Sequence, residues 1–284
     1  MRTELDAAYS GRTLAARAAT AASFVAVAIA LVPLLAILLY VAQRGLGALS
    51  WSFFTRLPQP VGEGGGGMAN AIVGTLELVG LASVIGIPIG IAAGLFLAEY
   101  RTTLLARVVR FSADVLAGVP SIIVGVVVYA IVVVRMQRFS TIAGALALAV
   151  LMLPLVARTT DELARTVPDS LREAALALGA SRWRIAIHVV LRTAGPGIRA
   201  GCMLAVARVC GETAPLLFTA FNNRFWNESL SDPTSSLQVQ IFSYTMSPYD
   251  DWHAQAWAAA LVLVAIVVVL NLAARRVLRG PKAA

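Results

Sequence analysis

Charge is scarce in this 284-residue chain. Acidic and basic residues together make up 13% of it, against 59% hydrophobic residues, whereas an average soluble domain carries roughly 25% charged residues. So little polar surface cannot cover a globule of this size. That excludes a soluble enzyme and a disordered chain, and leaves a polytopic membrane protein. Lysine is nearly missing: of 23 basic residues 22 are arginine, and the single lysine is Lys282. The chain therefore has no Gly-x4-Gly-Lys-Ser/Thr loop with which to cradle nucleotide phosphates. Two histidines, His188 and His253, and two cysteines, Cys202 and Cys210, are too few and too scattered for a metal cluster. The cysteines lie eight residues apart in one apolar segment, about 12 Å on a helix and too far for a disulfide. No His-Glu-x-x-His or Gly-x-Ser-x-Gly string is present, which removes two routes to an intramembrane hydrolase.

What is present is long apolar runs. A membrane helix needs about 20 mostly apolar residues, and six segments qualify: Thr20–Val41, Ala71–Ala98, Val115–Val134, Phe139–Ala157, Ala194–Phe221 and Ala254–Ala274. The first is longer than the ~7–15-residue core of a cleaved signal peptide and reads as a retained helix. Outside the spans, 16 basic residues fall on one side and five on the other (Arg44, Arg56, Arg135, Arg138, Arg224). Basic residues stay cytoplasmic, so both termini are expected inside, in agreement with six spans. The net charge of +8 is then a mark of topology, and nucleic acid is not expected as a partner.

The expected architecture is all-α with six transmembrane helices. A cytoplasmic N-terminus (1–19) leads into the first helix (20–41) and an external Gly-rich loop (42–70). A five-helix core (71–274) holds a cytoplasmic loop at 158–193 and an external loop at 222–253, and a basic tail (275–284) ends the chain. Gly64-Gly65-Gly66-Gly67 predicts a flexible, non-helical stretch. In the second external loop Trp226, Tyr244, Tyr249 and Trp252 read as interfacial anchors. The run Leu237–Tyr244 reads as a surface helix, with re-entry as a plug or gate as the alternative.

Charges inside the spans are few and informative. Arg208 lies near the midpoint of span five, a depth at which a charge costs several kcal/mol unless it is paired or faces protein or water. Glu212 follows at i+4 and shares its face. A guanidinium suits bidentate capture of an oxyanion, and a nearby carboxylate weakens its field enough for release. The pair reads either as part of an anion path or as a structural ion pair. Pro215 is expected to kink or open span five just beyond it. Glu77, about two turns into span two, is expected to pair with Arg208 or Arg199 or to face an aqueous vestibule. Asp114 reads as an N-terminal carboxylate of span three, and Pro120 as a kink at a packing contact.

The loop between spans four and five carries its own signals. Pro168 is followed by Asp169 and Ser170, good N-cap residues, with Glu173 three after Ser170. A helix over Leu171–Leu178 is expected to stop at Gly179, a left-handed cap, before a second amphipathic stretch, Trp183–Leu191.

The segment Glu173-Ala174-Ala175, then Gly179, then Leu191 resembles the Glu-Ala-Ala loop of ABC importer permeases. Val189 stands at that signature's Ile position. Arg192 replaces its Pro, a departure that leaves Pro196 to supply the bend into span five. Asn70–Leu76, Asp114–Gly125, the string Arg208-Val-Cys-Gly-Glu212-Thr-Ala-Pro215-Leu and Ala256–Asn271 are similar to the phosphate importer branch and to its A-type subunit, over roughly residues 70–275. The resemblance implies a type I ABC importer permease fold in a bacterial cell membrane, multi-pass and surrounded by lipid. It implies a coupling helix, Glu173, Ala174, Ala175 and Gly179, that docks on cytoplasmic ABC ATPase subunits. It implies a sister permease subunit, an external phosphate-binding protein, and inorganic phosphate as the substrate, with sulfate or molybdate as the alternative. ATP would be used by the partner, with no catalytic residue, cofactor or metal in this chain. The substrate path would involve Arg208, Glu212 and Glu77, with Pro120 and Pro215 as helix gates or kinks.

Overall fold

A computed structural model describes residues 2–60, 63 and 65–278. Gly64, Lys282 and the rest of the tail beyond residue 278 lie outside them. The elements are α1 (Arg2–Leu46), α2 (Trp51–Thr55), α3 (Ala69–Glu99), α4 (Leu104–Gly118), α5 (Ser121–Met136), α6 (Thr141–Arg165), α7 (Asp169–Ala177), α8 (Arg182–Val209), α9 (Ala214–Thr219), α10 (Leu237–Thr245) and α11 (Asp250–Leu278). Single π turns interrupt α5 at Tyr129–Val133 and α8 at Ala186–Val190. Every regular element among the described residues is helical. Five helices are long and apolar enough to cross a membrane, and the bent pair α4–α5 makes up to six.

That bend corrects the third span. The chain turns by 106° between α4 and α5, so Val115–Val134 is not one straight helix, and the helix after the bend begins at Ser121. The cause is Pro120: it lacks an N–H and pushes the preceding residue into extended backbone, and Val119 sits at ψ 130. Asp114 therefore does not open a span. It lies in the last turns of α4, where its carboxylate is 3.6 Å from Arg158.

The centre of the bundle is α6. Lipid tails are as apolar as the side chains they touch, so membrane helices associate through close packing of small residues. Gly86, Gly90 and Gly94 form a stripe along α3. It lies against Ala149 and Met152, then Val156, then Ala157 and Thr160 of α6, where an added Cβ at Gly90 would come within 2.7 Å of the Val156 side chain. On another side of α6, Thr159 and Leu163 pack on Gly201 and Gly197 of α8. By contrast α1 is exposed along nearly all its apolar length. It touches the bundle through Tyr40, whose ring meets Trp257 of α11 edge-on at 5.2 Å.

The Gly-rich loop is non-helical at residues 65–67, as expected, but it is packed. Helix α2 forms within the loop, capped by the Ser50 side chain on Phe53 N–H. Gly66 and Gly67 are buried beneath it. Met68 N–H donates to the Phe53 carbonyl at 2.8 Å, and a Cβ on Gly67 would collide with the carbonyls of Ser52, Phe53 and Arg56. Here glycine serves close approach rather than mobility.

Candidate functional site

Span five is broken. Helix α8 ends at Val209 and α9 begins after Thr213. Pro215 falls in the first turn of α9, where a missing N–H costs nothing, so the opening expected at Pro215 lies just ahead of it. The turn is built by Gly211 N–H on the Arg208 carbonyl and Glu212 N–H on the Val209 carbonyl, each 3.1 Å. Below it α9 is locked into the bundle, with Pro215 against Gly125 of α5 and Leu216 against Gly144 of α6.

Arg208 and Glu212 flank this turn. Arg208 Nε lies 4.0 Å from Glu212 Oε1, with the arginine side chain 55% exposed and the carboxylate 20%. The pair is at the outer limit of an ion pair, and among the described residues Arg208 has no other carboxylate within reach. It shares an outward face with Leu204, Gly211 and Pro196. An open guanidinium within a span is not stable against acyl chains, so this face must meet protein or water.

Glu77 does not join them. Its carboxylate accepts from Asn227 Nδ2 at 3.3 Å, and the same amide donates to Thr141 and Thr234. The expected pairing with Arg208 or Arg199 is absent among the described residues, because the Glu77 face of α3 looks onto the 222–235 segment. Glu77 instead lines a cavity of about 380 Å³ with Asn70, Trp226, Asn227 and Ser235, which fits the vestibule alternative.

The run Leu237–Tyr244 is not a surface helix. Leu237, Gln238, Val239, Gln240 and Tyr244 are all buried in α10. Its N-terminal turn reaches into the bundle, where Leu237 N–H donates to Thr75 Oγ1 at 2.9 Å and the Gln238 amide donates to the Cys210 carbonyl. Every polar group on the inward face finds a neutral partner, which is what allows so polar a segment to be buried.

At the opposite end of the bundle α7 begins at Asp169, two residues before the expected start. Pro168 is the N-cap and no side chain caps the helix. The expected Ser170–Glu173 capping box does not form, because Asp169 and Ser170 already lie inside the first turn. The C-terminal expectation holds: Gly179 sits at φ +79. Ala180 N–H donates to the Ala175 carbonyl and Gly179 N–H to that of Leu176, a complete Schellman cap. Glu173 and Ala174 face outward, whereas Ala175 packs on the core. Around them Leu171, Leu176, Leu178 and Trp183 are exposed. The expected bend at Pro196 is not a break, since Arg182–Val209 is one 28-residue helix. Its irregularity is the π turn just before Arg192.

Sequence reading missed Arg172, which it counted only toward topology. Its guanidinium bonds Glu99 at 2.5 Å and the Ala164 carbonyl at 2.6 Å. The two side chains are 11% and 16% exposed. This one residue ties α7 to the ends of α3 and α6. The available signal was its place beside Glu173, which turns the two side chains to different faces of the helix. A second tie holds α4 to α6: buried Asp161 accepts from Arg110 at 3.3 Å and from Arg165 at 2.7 Å.

Comparison with known proteins places this arrangement. The family described as "binding-protein-dependent transport system inner membrane component" matches residues 86–282. The phosphate transport system permease protein PstA of Yersinia pestis is 48% identical over 240 residues, covering 84% of this chain and 81% of that one. Its namesake in Haemophilus influenzae is 44% identical over 254 residues, covering 89% and 90%. Among solved structures, the inward-facing MetNI methionine ABC transporter is similar with TM-score 0.64 at 21% identity, over 76% of this chain and 96% of that one. A bacterial alginate ABC transporter is similar with TM-score 0.63 at 15% identity, over 87% and 88%. With two-thirds of its length matched by the family, and 44–48% of the aligned residues identical to named members, the chain belongs to the inner membrane components of binding-protein-dependent transport systems, a multi-pass permease family of ABC importers.

Proposed function

We propose that this chain is the permease subunit of an ATP-driven importer of inorganic phosphate, working with a sister permease, separate ATPase subunits and an external phosphate-binding protein. The observation that carries the reading is the Arg208–Glu212 pair: a half-exposed guanidinium within a span, at a break in its helix, loosely held by one carboxylate. A guanidinium can grip two phosphate oxygens at once, and the carboxylate 4.0 Å away tempers that grip so the ion can leave. The relatives named for phosphate transport, at 44–48% identity, favour phosphate over sulfate or molybdate.

In this reading the α7 end is cytoplasmic and the long loops are external, as the basic residues suggest. The outward Glu173 and Ala174, ringed by exposed leucines and Trp183, receive the ATPase. Arg172 passes its movement to α3 and α6 through Glu99 and the Ala164 carbonyl. ATP is bound and hydrolysed by the partner. The phosphate ion enters from the binding protein, meets Arg208 on the face shared with the sister subunit, and leaves inward when the subunits rock apart.

The test is uptake of labelled phosphate by proteoliposomes holding the assembled complex. Uptake should require ATP inside and the binding protein outside, and a tenfold excess of sulfate or molybdate should leave it unchanged. Uptake that persists without ATP, or that sulfate abolishes, would contradict the reading.

A further inference from the structure

We infer that Gln238 is a positioning residue for the Arg208–Glu212 pair, an inference that rests on the path reading above. A helix that stops within a membrane bundle leaves its last carbonyls without their partners four residues on. At the end of α8 the carbonyls of Arg208 and Val209 are met by the following turn. The Cys210 carbonyl is met by the side-chain amide of Gln238, which arrives from α10. Cys210 stands between Arg208 and Glu212, so this bond fixes the turn that sets their separation.

Gln238 is itself held. It is 3% exposed, and its Oε1 lies 3.4 Å from Thr75 Oγ1, a hydroxyl that donates to the Ala71 carbonyl at 2.7 Å and accepts from Leu237 N–H, the neighbour of Gln238 in the same turn. A chain of contacts thus runs from α3 through the first turn of α10 to the break in span five. The choice of an amide has a physical reason. A lysine or arginine would also satisfy the carbonyl, but it would add a second positive charge beside Arg208 and hold an anion too tightly. A hydroxyl is too short to span the gap from α10. Glutamine supplies a long, uncharged N–H. The segment that leads into α10 is bonded to α3 and α6 through Asn223, Asn227 and Thr141. Movement of that segment is therefore transmitted to the anion pair through Gln238.

The experiment is a double-mutant cycle in the reconstituted complex, with initial phosphate uptake as the readout. Gln238→Met keeps length and volume and removes the donor. It should lower uptake about tenfold in the native background, and less than about threefold in the Arg208→Lys background, where the geometry it sets is already lost. The phosphate KM should rise in the first case and stay unchanged in the second. Equal losses in both backgrounds would show a merely structural residue and overturn the inference. Unchanged uptake in Arg208→Ala would overturn the path reading, and this inference with it. If Gln238→Met does not assemble, Thr75→Val removes the hydroxyl that accepts from Leu237 N–H and seats the first turn of α10, and it enters the same cycle. A second readout uses the buried Cys210 thiol. In a Cys202→Ser background, loss of the amide should speed its modification by N-ethylmaleimide at least about fivefold, because local opening sets exposure. An unchanged rate would count against the inference.

Discussion

The two ends of the bundle are held by opposite chemistry. At the α7 end the anchors are charged: Arg172 on Glu99, and Arg110 and Arg165 on Asp161. At the α10 end they are mostly neutral: Asn70, Thr75, Asn222, Asn227, Gln238 and Gln240 bond backbone and one another, and Asn227 also donates to the Glu77 carboxylate. Both ends pair most of their buried polar groups, though Asn70 Oδ1 at one and Arg172 Nε at the other stay without a hydrogen bond, and they constrain differently. A charged anchor is strong and directional, and breaking it leaves an uncompensated charge. In the proposed reading it suits a lever that transmits force without slipping. A mostly neutral network has many weak members and adds little field, and in the proposed reading it encloses a path for an anion without competing for it. Among the described residues, the charged groups that flank the break in span five are Arg208 and Glu212, the two assigned to the path in the proposed reading.

The contrast can be broken from either end. The largest effect is expected from Arg172→Ala, which leaves Glu99 half-buried without its cation. A buried pair broken on one side costs about 3 kcal/mol, read as a lower thermal midpoint of the complex and loss of ATPase association. A midpoint unchanged within a degree would refute the anchor. Thr75→Val, at the neutral end, should cost less, about 2 kcal/mol for a buried N–H left unmet, without weakening ATPase binding. Gly179→Ala forces a Cβ into left-handed backbone at about 1 kcal/mol; Gly179→Asn should recover part of the lost coupled ATP hydrolysis, and equal defects would show that space rather than φ matters there. Glu173→Ala should leave stability within about 0.5 kcal/mol, as for an exposed surface change, yet lower binding-protein-stimulated ATP hydrolysis about tenfold through lost charge-assisted bonds. Normal stimulation would remove Glu173 from the coupling surface.

The spans were legible because apolar runs are the strongest signal a membrane sequence offers. Ala71–Ala98 differs from α3 by two residues at its start and one at its end. Arg208 and Glu212 were legible for a related reason: charges are rare in spans, and i,i+4 spacing places two on one face. The Gly179 cap was legible because left-handed backbone favours glycine. Three features were not. Val115 looked like the start of a span because α4 is apolar on one face, and only its 106° turn against α5 separates it. The burial of α10 was hidden because Gln238 and Gln240 look like surface residues until their partners, Thr75 at 163 positions and Asn222 at 18, are in view. Arg172 and Glu77 found partners at Glu99 and Asn227 for the same reason: tertiary pairing of polar groups has no local period to read.

The measurement that most directly tests the account is phosphate uptake by the assembled importer carrying Arg208→Ala or Arg208→Lys. Loss of the guanidinium should lower uptake at least about a hundredfold, and lysine, which keeps the charge without the bidentate fork, should restore about a tenth of the native rate. Assembly and ATPase binding should be intact in both. Native uptake in the alanine variant would show that Arg208 and Glu212 merely tie the helix together and that phosphate passes elsewhere.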